Sequence, residues 1–152
     1  VYLIDTDVLS IASPVSPRSG ANFDAWRDWL RRNADDVYLS SVTCMEISFG
    51  VAKSKRRQPG RKTVALELWL SDVLTLFDDR LCSITPDIAC LAGEMLESAV
   101  ASGFAPSSED ALIAATAKAR GWTVLTRNAK DFAALGGQWR DPLEPRFLGL
   151  EK

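Results

Sequence analysis

Histidine is absent from all 152 residues. That one absence removes the Ser-His and Cys-His nucleophile systems and the usual zinc sites. Cysteine is scarce, with only Cys44, Cys82 and Cys90, an odd number and no CxxC pair. Reduced thiols in a cytosolic protein suit that pattern, and each is expected to be a small buried hydrophobe. No apolar run approaches the length of a membrane span, and no signal peptide precedes the first apolar segment. A cytoplasmic chain without a membrane partner is therefore expected, and its opening on Val rather than Met is taken as an initiator either lost or left out of the sequence. Neither sign of charge dominates: 18 Lys and Arg stand against 20 Asp and Glu. The net charge of −2 argues against a generally basic nucleic-acid binder while leaving room for local patches. Any catalysis must rest on carboxylates, hydroxyls, Lys or Arg, together with a hard cation.

What is present suits one domain, residues 1–152, with a substantial core, since 47% of residues are hydrophobic and 25% charged. Val1–Asp5 is a run of β-prone residues closed by an acid, and it predicts a buried strand whose last side chain emerges at the sheet edge. A helical turn near Val8–Ala12 and a Pro/Ser/Gly loop through Gly20 follow. Phe23, Trp26, Trp29 and Leu30 recur at helical spacing, with Arg27, Arg31 and Arg32 on the other face. Val37–Leu39 predicts a second strand. Ser40 or Ser41 caps the next helix, with Met45, Phe49 and Ala52 expected in the core. The helix between Lys62 and Phe77 is expected to bury Val64, Leu68 and Val73 or Leu74. A short strand over Leu81–Ile84, a helix from Thr85-Pro86 to Gly103 and a helix over Glu109–Arg120 come next. Trp122–Thr126 then predicts a strand, Asn128–Leu135 a short helix, and the tail around Trp139 and Phe147 an edge strand. This alternation argues for an α/β fold with a mainly parallel sheet between helices.

On that scaffold the acids fall at strand ends and helix starts. Asp5 ends the first strand, Glu46 lies early in the helix after the second, and Asp110 lies in the first turn of its helix. Asn128 and Asp131 follow the strand ending at Thr126. In open parallel sheets ligands gather at the carboxyl edge of the strands, so these groups are expected to converge. Two unit charges ~4 Å apart cost about 4 kcal/mol at an effective dielectric near 20. The cluster therefore needs a cation or protonated members. Oxygen-only donors suit Mg²⁺ or Mn²⁺, and metal-dependent phosphate-ester cleavage follows as the natural chemistry. Taken singly, each acid also has a plainer role as a helix-start charge or a solvated surface group.

Leu3-Ile4-Asp5-Thr6-Asp7-Val8-Leu9-Ser10 and Ser41-Val42-Thr43-Cys44-Met45-Glu46-Ile47-Ser48-Phe49-Gly50 resemble the opening of PIN-domain ribonucleases. The likeness continues in Asp110–Ala117 and in Leu125–Phe132, in the order and spacing of the toxins of VapBC-type and FitAB-type toxin–antitoxin modules. The resemblance implies a three-layer α/β/α PIN domain and a Mg²⁺- or Mn²⁺-dependent endoribonuclease acting on RNA. It also implies a cognate antitoxin and a homodimer. It carries the metal role to Asp5, Glu46 and Asp110, with Glu46 either ligating directly or positioning the attacking water. Where some relatives have a fourth acid this chain has Asn128, which either binds through a water or orients a neighbour. Asp131 either completes the acidic ring or caps the final helix. Thr6 and Thr126 are hydroxyls suited to orienting those ligands, and Asp7, where relatives often have Asn, is expected to be peripheral.

Lys53, Lys55, Arg56, Arg57, Arg61 and Lys62 form a basic run that is either a solvated connection between helices or a phosphate-binding surface. Arg27, Arg31 and Arg32 would extend it. Trp26, Trp29 and Trp69 are expected in core or interface packing, and Gly50 is expected to serve packing. Two other functions compete. Asp5-Thr6-Asp7 mimics the nucleophile motif of haloacid-dehalogenase phosphohydrolases, but the acid-bearing Asp110 helix comes before the Thr126 strand instead of after it. A non-catalytic PIN-like module that binds nucleic acid or protein is the second, and retention of the three core acids weighs against it.

Overall fold

The computed structural model describes residues 1–150. Strand β1 (Tyr2–Ile4) leads into a single turn, α1 (Thr6–Leu9), and then α2 (Ala21–Arg32). Strand β2 (Val37–Ser40) is followed by the helical pair α3 (Ser41–Arg57) and α4 (Arg61–Leu76). After β3 (Leu81–Cys82) come α5 (Pro86–Ala101) and α6 (Ser108–Arg120). The chain ends in β4 (Thr123–Leu125), α7 (Ala129–Leu135), β5 (Trp139–Arg140) and the turn α8 (Pro145–Leu148).

The strands order as β3-β2-β1-β4-β5, every pairing parallel. β1 is central, with Ile4 opposite Leu39 on one side and Leu125 on the other. One residue further on, Asp5, Ser40 and Thr126 therefore emerge side by side at the carboxyl edge. The chain builds outward from β1 through β2 to β3, then returns to the other flank of β1 for β4 and β5. That reversal is the topological switch point, where an α/β sheet opens a crevice for ligands.

Both faces of the sheet are covered, so the central strands β1, β2 and β4 are largely apolar on both sides instead of alternating. Leu3 and Val124 pack with Ile88, Met95, Ile113 and Phe132 of α5, α6 and α7. Ile4, Leu39 and Leu125 pack with Val8, Trp26, Ile47 and Val73 of α1 to α4. Local chemistry sets the helix starts that matter for the site. Ser40 caps α3 by accepting from the Val42 N–H at 3.2 Å, and Ser107 caps α6 by accepting from the Asp110 N–H at 3.0 Å. Gly121, at φ 68°, ends α6 in the left-handed conformation open to glycine.

Several expectations are corrected. Met45, Phe49 and Ala52 lie on the outside of α3, with Phe49 69% exposed. The buried face is Val42, Thr43, Ile47 and Val51. Both stripes are apolar at helical spacing, so periodicity alone could not choose between them. In α4 the buried residues are Thr63 and Val73, whereas Val64, Leu68 and Leu74 are exposed. Cys82 is buried, but Cys44 is half-buried and Cys90 exposed. Phe147 belongs to α8 and packs edge-on against Tyr2, so Trp139 alone of that pair joins the edge strand. Trp26 is fully buried and stacks on Trp29.

Candidate active site

Asp5 is 95% shielded from solvent, yet it remains in the sheet ladder, its N–H donating to the Leu125 carbonyl at 2.9 Å. It is also the cap of α1: Oδ1 accepts from the Thr6 N–H at 2.7 Å. Oδ2 accepts from the Thr126 hydroxyl at 2.7 Å. The same Thr126 oxygen accepts from the Asn128 N–H at 2.9 Å, so its proton is committed to Asp5. From Asn128 the side-chain amide reaches Asp110 Oδ2 at 3.3 Å and Asp131 Oδ2 at 3.0 Å. On the other side of Asp5, the Thr6 hydroxyl donates to Glu46 Oε2 at 2.5 Å.

These bonds form one continuous chain from Glu46 through Thr6, Asp5, Thr126 and Asn128 to Asp110 and Asp131. All seven residues singled out in the sequence as ligands or orienting groups belong to it. β1 supplies the centre, the strand ends of β1 and β4 the hydroxyl and backbone donors, and α3, α6 and α7 the flanking carboxylates.

The electrostatics are those of a crowded, half-dry acidic edge. Burial pushes the Asp5 carboxyl up to about 7, opposed by the Thr126 hydrogen bond and reinforced by the charges of Asp7 and Asp110. Glu46 is raised by burial, with Thr6 opposing and Asp110, Glu109 and Asp7 adding to the shift. Asp110 is raised by burial, with Ser107 opposing and Asp131 and Glu109 adding. Asp7 is not peripheral: its own carboxyl is raised by burial against the pull of Arg127, and its Oδ1 is buried without a hydrogen-bond partner. Its contribution was hidden because spacing does not report burial, and only the fold brings it near Glu46 and Arg127.

The donor set fits a hard divalent cation: all oxygen, mutually repulsive, with one orphaned carboxylate oxygen at its rim. It is a lined edge and not a closed cage. Among the described residues no three acids stand close enough to hold an ion as placed. The Thr6, Thr126 and Asn128 donors lie between them instead.

A cleft of about 520 Å³ opens from this edge, lined by Thr6, Asp7 and Glu46, with Arg18 and Lys62 on its rim. Its far wall is apolar, with Ile47, Val51, Leu66 and Trp69. The basic run does not act as a unit. Lys62 faces this cleft, Lys53, Arg56 and Arg57 line neighbouring hollows on α3, and Arg61 is exposed at the start of α4. Lys55 is tied to Glu67 at 2.8 Å. Arg27 and Arg31 are paired with Asp24 and Asp28, Arg27 also donates to the Ile11 and Arg18 carbonyls, and Arg32 bonds the Asp28 carbonyl, so all three are already engaged. Arg18, in the loop before α2, carried no signal in the sequence beyond its charge.

A family model described as PIN domain matches residues 2–138. The toxin FitB of Neisseria gonorrhoeae is 32% identical over 145 residues, covering 93% of this chain and all of FitB. VapC ribonuclease Y4jK of Sinorhizobium fredii is 29% identical over 145 residues, covering 95% of this chain and 99% of the relative. A solved structure of FitAB bound to an IR36 DNA fragment superposes with a TM-score of 0.81 at 31% identity, covering 95% of this chain and 96% of that one. The chain belongs to the PIN-domain family. The phosphohydrolase alternative is thereby set aside, and the buried Thr126 hydroxyl, committed to Asp5, is not the free group that chemistry would require. No helix among the described residues is long and apolar enough to cross a membrane.

Proposed function

We propose that residues 1–152 form one catalytic PIN domain acting as a divalent-metal-dependent endoribonuclease, the toxin of a FitAB- or VapBC-like pair. The observation that carries this reading is the hydrogen-bonded chain of carboxylates at the switch point, in a chain that resembles FitB and a VapC ribonuclease along nearly all its length.

Asp5 and Asp110 would anchor Mg²⁺ or Mn²⁺. When bound, the ion would supply charge stabilisation at the scissile phosphate and lower the pKa of the attacking water. Glu46 has Oε2 engaged by Thr6, leaving Oε1 to ligate or to take the proton of that water. Asn128 holds Asp110 and Asp131 through its side-chain amide, and Asp131 would contribute negative charge and help orient Asp110. Thr6 and Thr126 keep Asp5 and Glu46 in fixed rotamers. Water's oxygen adds to phosphorus as the bridging P–O bond breaks, so no nucleophilic side chain is needed. Arg18 and Lys62 would hold neighbouring phosphates.

Partners follow from the same surfaces. The apolar wall of the cleft suits an antitoxin segment that brings a basic side chain to the acids. Exposed Met45 and Phe49 of α3, with Val64 and Leu68 of α4, suit a homodimer.

Cleavage of a total-RNA pool with Mg²⁺ or Mn²⁺ against EDTA, beside an Asp5→Asn, Asp110→Asn double variant, tests this reading. Metal-dependent cuts that vanish in the variant are expected. Folded, metal-supplied protein that binds RNA in EDTA and cuts nothing would instead favour a non-catalytic binding module.

A further inference from the structure

Gly50 lies well inside α3, where glycine costs helix stability relative to alanine. Packing does not account for it, contrary to the expectation from the sequence. A Cβ at that position would meet nothing within 4 Å beyond the helix's own neighbouring backbone, its φ is not positive, and the residue is exposed.

The missing side chain falls where two hollows join. One is the cleft that begins at Thr6, Asp7 and Glu46. The other, about 340 Å³, is lined by Lys53, Arg57 and Gln58, and Gly50 and Ser54 belong to both. Glu46, Gly50, Lys53 and Arg57 follow one another at i, i+4, i+7 and i+11, so they form a single stripe along α3. At 1.5 Å rise per residue, Lys53 lies roughly 10 Å and Arg57 roughly 16 Å along the axis from Glu46. Among the described residues neither Lys53 nor Arg57 is in a salt bridge, whereas Lys55, off the stripe, is. The stripe thus runs from an acidic edge suited to a cation, across a bare gap, to two uncommitted cations.

Resting on the ribonuclease reading above, we propose that a single RNA strand leaves the acids along this stripe. Its sugar–phosphate chain passes over Gly50 and its phosphates settle on Lys53 and Arg57. The second hollow is lined by Lys53, Ser54, Arg57 and Gln58, which suits a polyanion, whereas the apolar side chains Ile47, Leu66 and Trp69 belong to the first cleft alone. Gly50 is then a residue that determines access, because any larger side chain would stand in the strand's path.

The test is fluorescence anisotropy with a fluorescein-labelled single-stranded RNA of about a dozen nucleotides, in EDTA so that binding is read apart from cleavage. Gly50→Leu is expected to weaken binding at least tenfold, and Gly50→Ala less. Both variants should melt at or above the wild-type temperature, because the Cβ meets nothing. A Lys53→Ala, Arg57→Ala double variant should lower the slope of log K against log salt by about 1.4, at about 0.7 per single-strand phosphate contact. Wild-type affinity in Gly50→Leu, an unchanged salt slope in the double variant, or no binding by the wild type would each overturn the track. So would Gly50→Leu disrupting a protein complex while leaving RNA binding intact. Metal-dependent cleavage with unaltered binding in these variants would sink the track and leave the ribonuclease standing. Binding that follows the track without any cleavage in Mg²⁺ would do the reverse.

Discussion

Thr126 gives its hydroxyl proton to Asp5 Oδ2 and takes the Asn128 N–H on the same oxygen. One side chain thus sets both the charge state of the central acid and the position of the amide that holds Asp110 and Asp131. Thr126→Val keeps the shape and removes both bonds. Asp5 then loses the main influence opposing its elevation, so the rising limb of the pH–rate profile should move to higher pH. Activity at neutral pH should fall by about tenfold to a hundredfold, as for other groups that orient metal ligands. Thr126→Ser should restore the profile; a purely packing role would not follow the hydroxyl in this way.

Asn128 is the only described donor shared by Asp110 and Asp131. In Asn128→Leu the two carboxylates lose it and are left to repel. Mn²⁺ affinity by titration calorimetry should drop by about tenfold to a hundredfold. Unchanged affinity would mean that Asp110 is held for metal by something other than Asn128.

The raised acids make a statement about stability without metal. Asp5 titrates near 7 in the folded chain against an ordinary 3.8, so between those values the folded state holds a proton that the unfolded state has released. Stability is therefore highest below that window and falls as pH rises through it, by about 4 kcal/mol at most for Asp5 at 1.36 kcal/mol per pKa unit. Glu46, Asp110 and Asp7 are shifted in the same direction and add to the fall. In EDTA the melting temperature should be lower at pH 8 than at pH 5, and saturating Mn²⁺ should reverse most of the loss. Asp7→Asn removes one of the charges that raises Asp5 and Glu46. It should stabilise the metal-free protein at pH 8 and shift the midpoint of the cleavage profile downward. A metal-free melting temperature that rises with pH would refute this account.

Phe49 is 69% exposed and Leu68 63% exposed, on the two helices of one hairpin. If the surface around Phe49 joins two copies, Phe49→Glu should convert a dimer to a monomer in sedimentation velocity. The monomer's own melting should be little changed, since an exposed side chain contributes almost nothing to its core.

The acids were legible in the sequence because parallel pairing leaves little freedom. Once Val1–Asp5, Val37–Leu39 and Trp122–Thr126 are strands of one sheet, Asp5 and Thr126 must share an edge, and capped helices bring Glu46 and Asp110 to it. Elements that border two environments were not legible. α3 carries apolar stripes on opposite sides, and only the Ile47–Val51 stripe meets the sheet layer. Asp7 looked peripheral because its effect on Asp5 and Glu46 depends on burial, which spacing does not report. Gly50 looked like a packing glycine until its surroundings proved empty. The basic run, continuous in sequence, is divided by helical geometry into Lys55, already paired, and cations that face separate hollows.

The carboxylates hang from strand ends and first helical turns, whereas the basic stripe and the exposed apolar face ride on the α3–α4 hairpin. These are separable inheritances. One residue added within β1 would draw Asp5 off the edge it shares with Ser40 and Thr126. Beyond Glu46 the exposed positions of the hairpin can be recharged without moving any acid of the cluster, whereas Ile47, Val51 and Val73 are fixed by the core. If the stripe on α3 guides the RNA strand, exchanging its exposed residues would change which strand is held while leaving the acids in place.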